Sequence, residues 1–270
     1  MFETERDVLA WFEKQPRALD KNFLDNIAWR DVSRHELNAD FVPVLIYMRD
    51  VESFTDIYYK ELLRTPTGRD PVVKKFMERW SEEERLHAEL LNRFLEEAGV
   101  HTSPRWEAEA KSKISFRYKF ENCVSSLLSN PFGEHFAGAH MTWGAINEMT
   151  TLQGYRRLWK LAGHPVLEHL LRRIAQEESV HSYFYLNIAR LKLKRSLFSR
   201  KLARFIIGKF WTPVGQGTKP QLETNYLIAT LFKGTEGIDF FDRNVSRRLK
   251  QLPGFDGFQT VFDRIVAIAQ

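Results

Sequence analysis

The sequence predicts an all-α protein whose core is a four-helix bundle with one long crossover, and three observations predict it. Four stretches place apolar residues alternately four and three positions apart, the stripe of a helix packed in a bundle. Proline and glycine punctuate the chain between them, with start signals before and stop signals after the stripes. The connection between the second and third stretches is long and the others are short, which is the spacing of a bundle that crosses over once.

Residues 1–39 read as an arm that packs on the bundle. Val8, Leu9, Trp11 and Phe12 are the apolar side of a short amphipathic segment, Pro16 interrupts it, and Trp29 and His35 follow in a loop-like stretch. Asp40 as N-cap and Pro43 in the first turn open the first bundle helix, which runs to about Arg64. Thr65-Pro66-Thr67-Gly68 is a turn, and Asp70-Pro71 starts the second helix, which ends at Ala98-Gly99. Ser103-Pro104 opens a crossover helix that runs to about Leu128 and is closed by Asn130-Pro131. The third bundle helix covers about residues 132–162 and stops at Gly163; Pro165 opens the fourth, which continues to about Lys194. Beyond it lie a basic helix at 199–211, a Pro/Gly loop at 212–220 and helical stretches at about 221–250 and 257–269. No linker is long or polar enough to mark a second domain, so one domain is expected over 1–270, with its core at about 40–195 and a C-terminal extension at 196–270.

The stripes carry charge where apolar residues belong. The second reads Val73, Met77, Trp80, Glu84, His87, Leu91, Phe94, Ala98, and the fourth Leu167, Leu171, Ile174, Glu178, His181, Tyr185, Ile188. The first reads Leu45, Met48, Glu52, Thr55, Tyr59, Leu62, and the third Met141, Ala145, Glu148, Leu152, Tyr155, Trp159. Each has a Glu midway, and two add a His one turn later, as Glu84-x-x-His87 and Glu178-x-x-His181. One Glu-x-x-His is weak by itself; its position in the stripe is the signal. A carboxylate in an apolar core is costly unless paired or bound to metal, and four facing one another repel. Two divalent cations balance four carboxylates and leave both histidines neutral. One Glu from each of two helices plus Glu-x-x-His from the other two is the ligand set of ferritin-like di-iron and di-manganese proteins. The expected ligands are therefore Glu52, Glu84, His87, Glu148, Glu178 and His181. Their oxygen and nitrogen donors suit two iron ions, with manganese possible at one site, better than thiolate-seeking metals.

Glu83 and Glu177 each precede a ligand Glu, and read either as groups that orient the histidines or as surface charge. Thr151, one turn after Glu148, reads either as a hydroxyl for bound oxygen or as a threonine bonded back to its own helix. His35, His101, His135, His140, His164 and His169 have no partner at ligand spacing and read as surface or core residues. Glu134 lies on the third stripe but far from the others.

Composition bounds the rest. The hydrophobic fraction of 43% supports a sizeable core, and the single cysteine, Cys123, excludes an intrachain disulfide. No apolar run approaches a membrane span and the first residues lack the regions of a signal peptide, so a cytoplasmic protein is expected. The net charge is +5, and between Ser179 and Leu222 there is no Asp or Glu. That basic run invites an acidic protein or an anionic membrane surface; nucleic acid is disfavoured, because no recognition motif accompanies the charge.

Three segments resemble the soluble acyl-carrier-protein desaturase family. Trp80-Ser81-Glu82-Glu83-Glu84-Arg85-Leu86-His87 is similar to that family's first Glu-x-x-His helix. Asn147-Glu148-Met149-Thr150-Thr151 is similar to its third-helix Glu with a Thr one turn on, and Ala175-Gln176-Glu177-Glu178-Ser179-Val180-His181 to its second Glu-x-x-His helix. The basic stretch at 200–215 is similar to the segment that follows there, and the likeness covers about residues 40–215. The family usually has Arg before each ligand His, where this chain has Leu86 and Val180, and Asp where it has Glu177. The chain is also shorter than the plant members. The resemblance implies a di-iron centre on Glu52, Glu84, His87, Glu148, Glu178 and His181, with Thr151 as the oxygen-side hydroxyl. It implies desaturation, or hydroxylation, of a fatty acyl chain on acyl carrier protein, with electrons from a ferredoxin-type donor and a homodimeric assembly. The acidic carrier would give the basic run its partner. The alternatives are a di-iron hydroxylase or N-oxygenase on another substrate, and a ferritin-like iron-oxidising protein.

Overall fold

The computed structural model describes residues 2–114 and 130–270, and the described residues are helical, with a lone bridge between Gln216 and Lys219 and no strand. The arm begins with α1 (Glu5–Glu13), closed at its start by a capping box between Thr4 and Asp7, with Val8 and Phe12 buried. A one-turn helix Lys21–Asp25 and a 3₁₀ turn Trp29–Arg34 follow, so Trp29 sits in a regular turn where a loop was expected.

The first bundle helix is broken. It runs as α2 (Phe41–Ser53) and resumes as α3 (Thr55–Leu62). Two hydroxyls next to the break bond backbone carbonyls, Ser53 Oγ to Asp50 at 2.7 Å and Thr55 Oγ1 to Glu52 at 2.9 Å. Those carbonyls then compete with the helical ladder. The expected Asp40 cap also differs: Asp40 is already helical and its side chain caps nothing, while Asn38 Oδ1 accepts the Asp40 N–H at 2.9 Å.

The second bundle helix, α4 (Pro71–Glu97), starts as expected, with the Asp70 carboxylate accepting Val72 N–H, and stops before Gly99 at φ 79°. In the crossover, α5 (Trp106–Ser112) opens after Ser103-Pro104; the remainder of the expected crossover helix, and Cys123, lie outside the described residues. The third and fourth bundle helices are α6 (Glu134–Ala162) and α7 (Pro165–Arg195). They approach closely at Gly144, where an added Cβ would lie 2.3 Å from the Tyr185 ring.

The C-terminal extension is α8 (Leu197–Phe210), α9 (Gln221–Phe232), α10 (Gly234–Phe241), a π-helical continuation through Ser246, and α11 (Thr260–Ala269). The helical stretch expected over 221–250 is split at Gly234, whose φ is 72°. α9 packs on α2, α6 and α11 and so walls one side of the bundle. No described helix is long and apolar enough to cross a membrane.

Candidate metal centre

The stripes converge. Glu52, Glu84, His87, Glu148, Glu178 and His181 are all buried, although each is polar or charged. Their donor atoms form two groups: Glu52, Glu84, His87 and Glu178 in one, and Glu84, Glu148, Glu178 and His181 in the other. Within each group the atoms lie within 4.8 Å of one another. Glu84 and Glu178 belong to both, so the Glu of each Glu-x-x-His sits between the two groups while its His belongs to one. The two imidazole centroids are 6.1 Å apart.

An outer layer holds the histidines, and it is crossed. His87 on α4 bonds through Nε2 to Glu177 on α7 at 2.9 Å, and His181 on α7 through Nε2 to Glu83 on α4 at 2.8 Å. A carboxylate only accepts, so Nε2 carries the proton in each ring and Nδ1 turns its lone pair inward. Glu83 also accepts Arg79 Nε at 2.7 Å, and Glu177 accepts the backbone N–H of Leu19 at 3.1 Å. The arm thus closes this layer, with Arg17 Nε a further 3.6 Å from Glu83. The outer carboxylates are placed too: Trp80 Nε1 donates to Glu148 at 3.1 Å, and the Tyr155 hydroxyl to Glu52 at 2.5 Å. Sequence reading takes Trp80 and Tyr155 as core residues; their polar ends reveal the second role.

The inner atoms are left over. Glu84 Oε1, His87 Nδ1, Glu148 Oε2, both oxygens of Glu178 and His181 Nδ1 are buried without a hydrogen-bond partner. His87 Nδ1 is 3.1 Å from Glu178 Oε1, and His181 Nδ1 is 2.9 Å from Glu84 Oε1, close enough for ion pairing but not aligned as hydrogen bonds. Buried polar atoms are rarely orphaned, so a shared set aimed at one place calls for cations. Electrostatics agrees. Burial, and then the Glu84 charge, push Glu52 and Glu178 up, and burial pushes Glu148 up. His87 and His181 go up as well: burial opposes this, but the surrounding carboxylates overcome it. Glu84 goes the other way: burial would raise it, but contacts with Glu52, His181 and His87 outweigh burial and hold it well below the usual carboxylate range. Without cations, protons therefore favour the other members of the cluster. Glu83 and Glu177 stay below the usual carboxylate range, because the histidines and their other donors outweigh burial. The donor set, two groups of three carboxylates and one imidazole, fits a pair of hard or borderline divalent ions.

Thr151 is not among these donors. It lines a narrow cavity next to Glu52, walled by Met48, Val51, Gly154, Leu231 and Phe232. Its neighbour Thr150 is the one that bonds back to its helix, at Ile146 O, 2.7 Å. Three of the remaining described histidines take other partners: His140 meets Thr67 at 2.8 Å and is held by burial at a pKa of about 3, His135 meets Ser199, and His164 caps α7.

No curated protein matches the chain. A family model described as Rubrerythrin matches residues 51–189, about half of the chain. That span starts just before Glu52, ends beyond His181 and takes in both donor groups. The chain belongs to the rubrerythrin family, within the ferritin-like di-iron carboxylate superfamily.

Proposed function

We propose that the protein is a di-iron, dioxygen-dependent oxidoreductase that desaturates or hydroxylates a fatty acyl chain carried on acyl carrier protein. The pair of donor groups sharing Glu84 and Glu178, buried in the bundle, carries the oxidoreductase reading. Glu52, Glu84, His87, Glu148, Glu178 and His181 would hold two iron ions, which would supply two of the four electrons that dioxygen takes up, the acyl chain giving the other two; manganese at one site would suit the same donors. The chain's own residues do the rest. Glu177 and Glu83 fix the histidine tautomers, and Trp80 and Tyr155 hold the outer carboxylates. Burial, and then the Glu52 charge, push the Tyr155 hydroxyl well up, so it keeps its proton as a donor to Glu52.

The acyl substrate is supported by the cavity beside Glu52, whose lining is mostly apolar, and Thr151 on its wall is the proposed oxygen-side hydroxyl. The cavity measures about 40 Å³, room for one or two water-sized guests. A long acyl chain is larger than this space, so its entry requires lining side chains to move aside. The basic run between Ser179 and Leu222 supports an acidic carrier, and the resemblance to the acyl-carrier-protein desaturases supports the ferredoxin-type donor and the homodimer. The small cavity favours one second reading, hydroxylation or N-oxygenation of a smaller substrate.

Aerobic single turnover of the reduced, iron-loaded protein with acyl carrier protein bearing chains of several lengths, followed by mass spectrometry, tests the proposal. The product is expected to lose two hydrogens or gain one oxygen. Unchanged chains at every length, with dioxygen consumed, overturn the acyl reading and leave the smaller substrate.

A further inference from the structure

Helix α8 packs one face against the bundle through Ser199, Ala203 and Ile207 and turns the other outward. On it, Leu197 is 69%, Phe198 50%, Phe205 62% and Phe210 57% exposed. Phe132, 40% exposed, extends the patch, its ring stacked on Phe198 at 6.4 Å. Lys201 and Lys209 are exposed on the same outward side and form no ion pair among the described residues. The sequence on either side of them lacks Asp and Glu, although Lys192, Arg195 and Lys219 of that run pair in space with Glu5, Asp70, Asp50 and Glu223. One acidic group, Asp263, borders the shallow groove that Lys201, Arg204 and Phe205 share with α11. Apolar side chains this exposed, and this close together, mark a surface that meets something.

Charge decides among the occupants. A second copy related by a two-fold axis would set this face against itself, lysine near lysine. An acidic protein satisfies the lysines but asks nothing of three phenylalanines and a leucine. An anionic lipid surface takes both: apolar side chains enter the boundary between headgroups and acyl chains, and lysines meet phosphates. We propose that the outer face of α8 docks the protein on an anionic phospholipid surface, peripherally, since no described helix is able to span one. The docking requires no metal and no acyl substrate, but it gives the α8 lysines of the basic run to lipid, where the function proposed above would give them to an acidic carrier.

Flotation of the full-length protein with vesicles tests it. Binding is expected to vesicles of equimolar phosphatidylglycerol and phosphatidylcholine, and to be much weaker to phosphatidylcholine alone. The Phe198→Ser/Phe205→Ser and Lys201→Glu/Lys209→Glu variants are each expected to lower the bound fraction about tenfold or more. Far-UV circular dichroism and the thermal midpoint control for folding, and the lysine pair, wholly on the surface, serves if the phenylalanine pair misfolds. Equal flotation of wild type and both variants, or no flotation at all, overturns the proposal. So does binding to acyl carrier protein that only the lysine pair abolishes while vesicles are ignored, and so does a dimer that the phenylalanine pair dissociates without any vesicle binding.

Discussion

Glu84 and Glu178 differ from Glu52 and Glu148 in one respect: they belong to both donor groups. Removing a shared carboxylate strips both positions, and removing an outer one strips a single position. Glu84→Ala and Glu178→Ala are therefore expected to abolish iron retention, whereas Glu52→Ala and Glu148→Ala keep about half of it, as measured by metal analysis after desalting. The crossed outer layer makes a sharper prediction. Glu177→Ala frees His87 and Glu83→Ala frees His181, so each is expected to weaken a different site, about 10–100-fold in affinity. Spectra of the iron-loaded variants should lose different halves of the wild-type signal; identical spectra would refute the crossing. Protons enter through the same histidines. In the metal-free protein the surrounding carboxylates outweigh burial and raise both histidines, so protons compete with a metal for the inward nitrogens. Affinity is expected to rise with pH across neutrality, with proton release on loading visible by calorimetry in buffers of different ionisation heat. That these six side chains cluster was legible because each interrupts an apolar stripe. The crossing was not, since spacing along one helix says nothing about which carboxylate on another helix will meet its histidine.

At the scale of the elements, periodicity located α4, α6 and α7 nearly to the residue, because proline and glycine sit at their ends. It missed the break at Phe54, because Tyr59 and Leu62 continue the apolar stripe across it. What ends α2 is local hydroxyl chemistry at Ser53 and Thr55, which a count of apolar residues does not register. The contact of α6 with α7 leaves little room for an added group. A methyl at Gly144 meets the ring of Tyr185, itself buried and bonded to Met77 Sδ at 3.2 Å, so the ring has little room to retreat. Gly144→Ala is expected to cost about 1–3 kcal/mol, although alanine is the better helix former. Chemical denaturation measures it, and an unchanged or raised midpoint would show that the helices can separate at this contact.

For the whole molecule, the centre sets holding the fold together against holding the metal. Four inner carboxylates and the two behind the histidines are gathered inside one bundle. Arg79 and Arg17 offset part of the outer charge; the inner four meet the two imidazoles and the neutral donors Trp80 and Tyr155. Metal-free protein must therefore fold around protonated or repelling groups, and loaded protein need not. Binding at about a thousand times the dissociation constant adds about 4 kcal/mol. In a chain of this size that corresponds to a rise of order 10 °C in the thermal midpoint. Glu148→Gln/Glu178→Gln separates the two effects, because burial pushes both of these carboxyls up. It removes two inner charges while keeping their shape, so the metal-free variant is expected to melt above the metal-free wild type and to gain little from iron. Should the variant instead melt lower without metal, the inner carboxylates would be supporting the bundle by themselves, and the cations would not be what the cluster is built to hold.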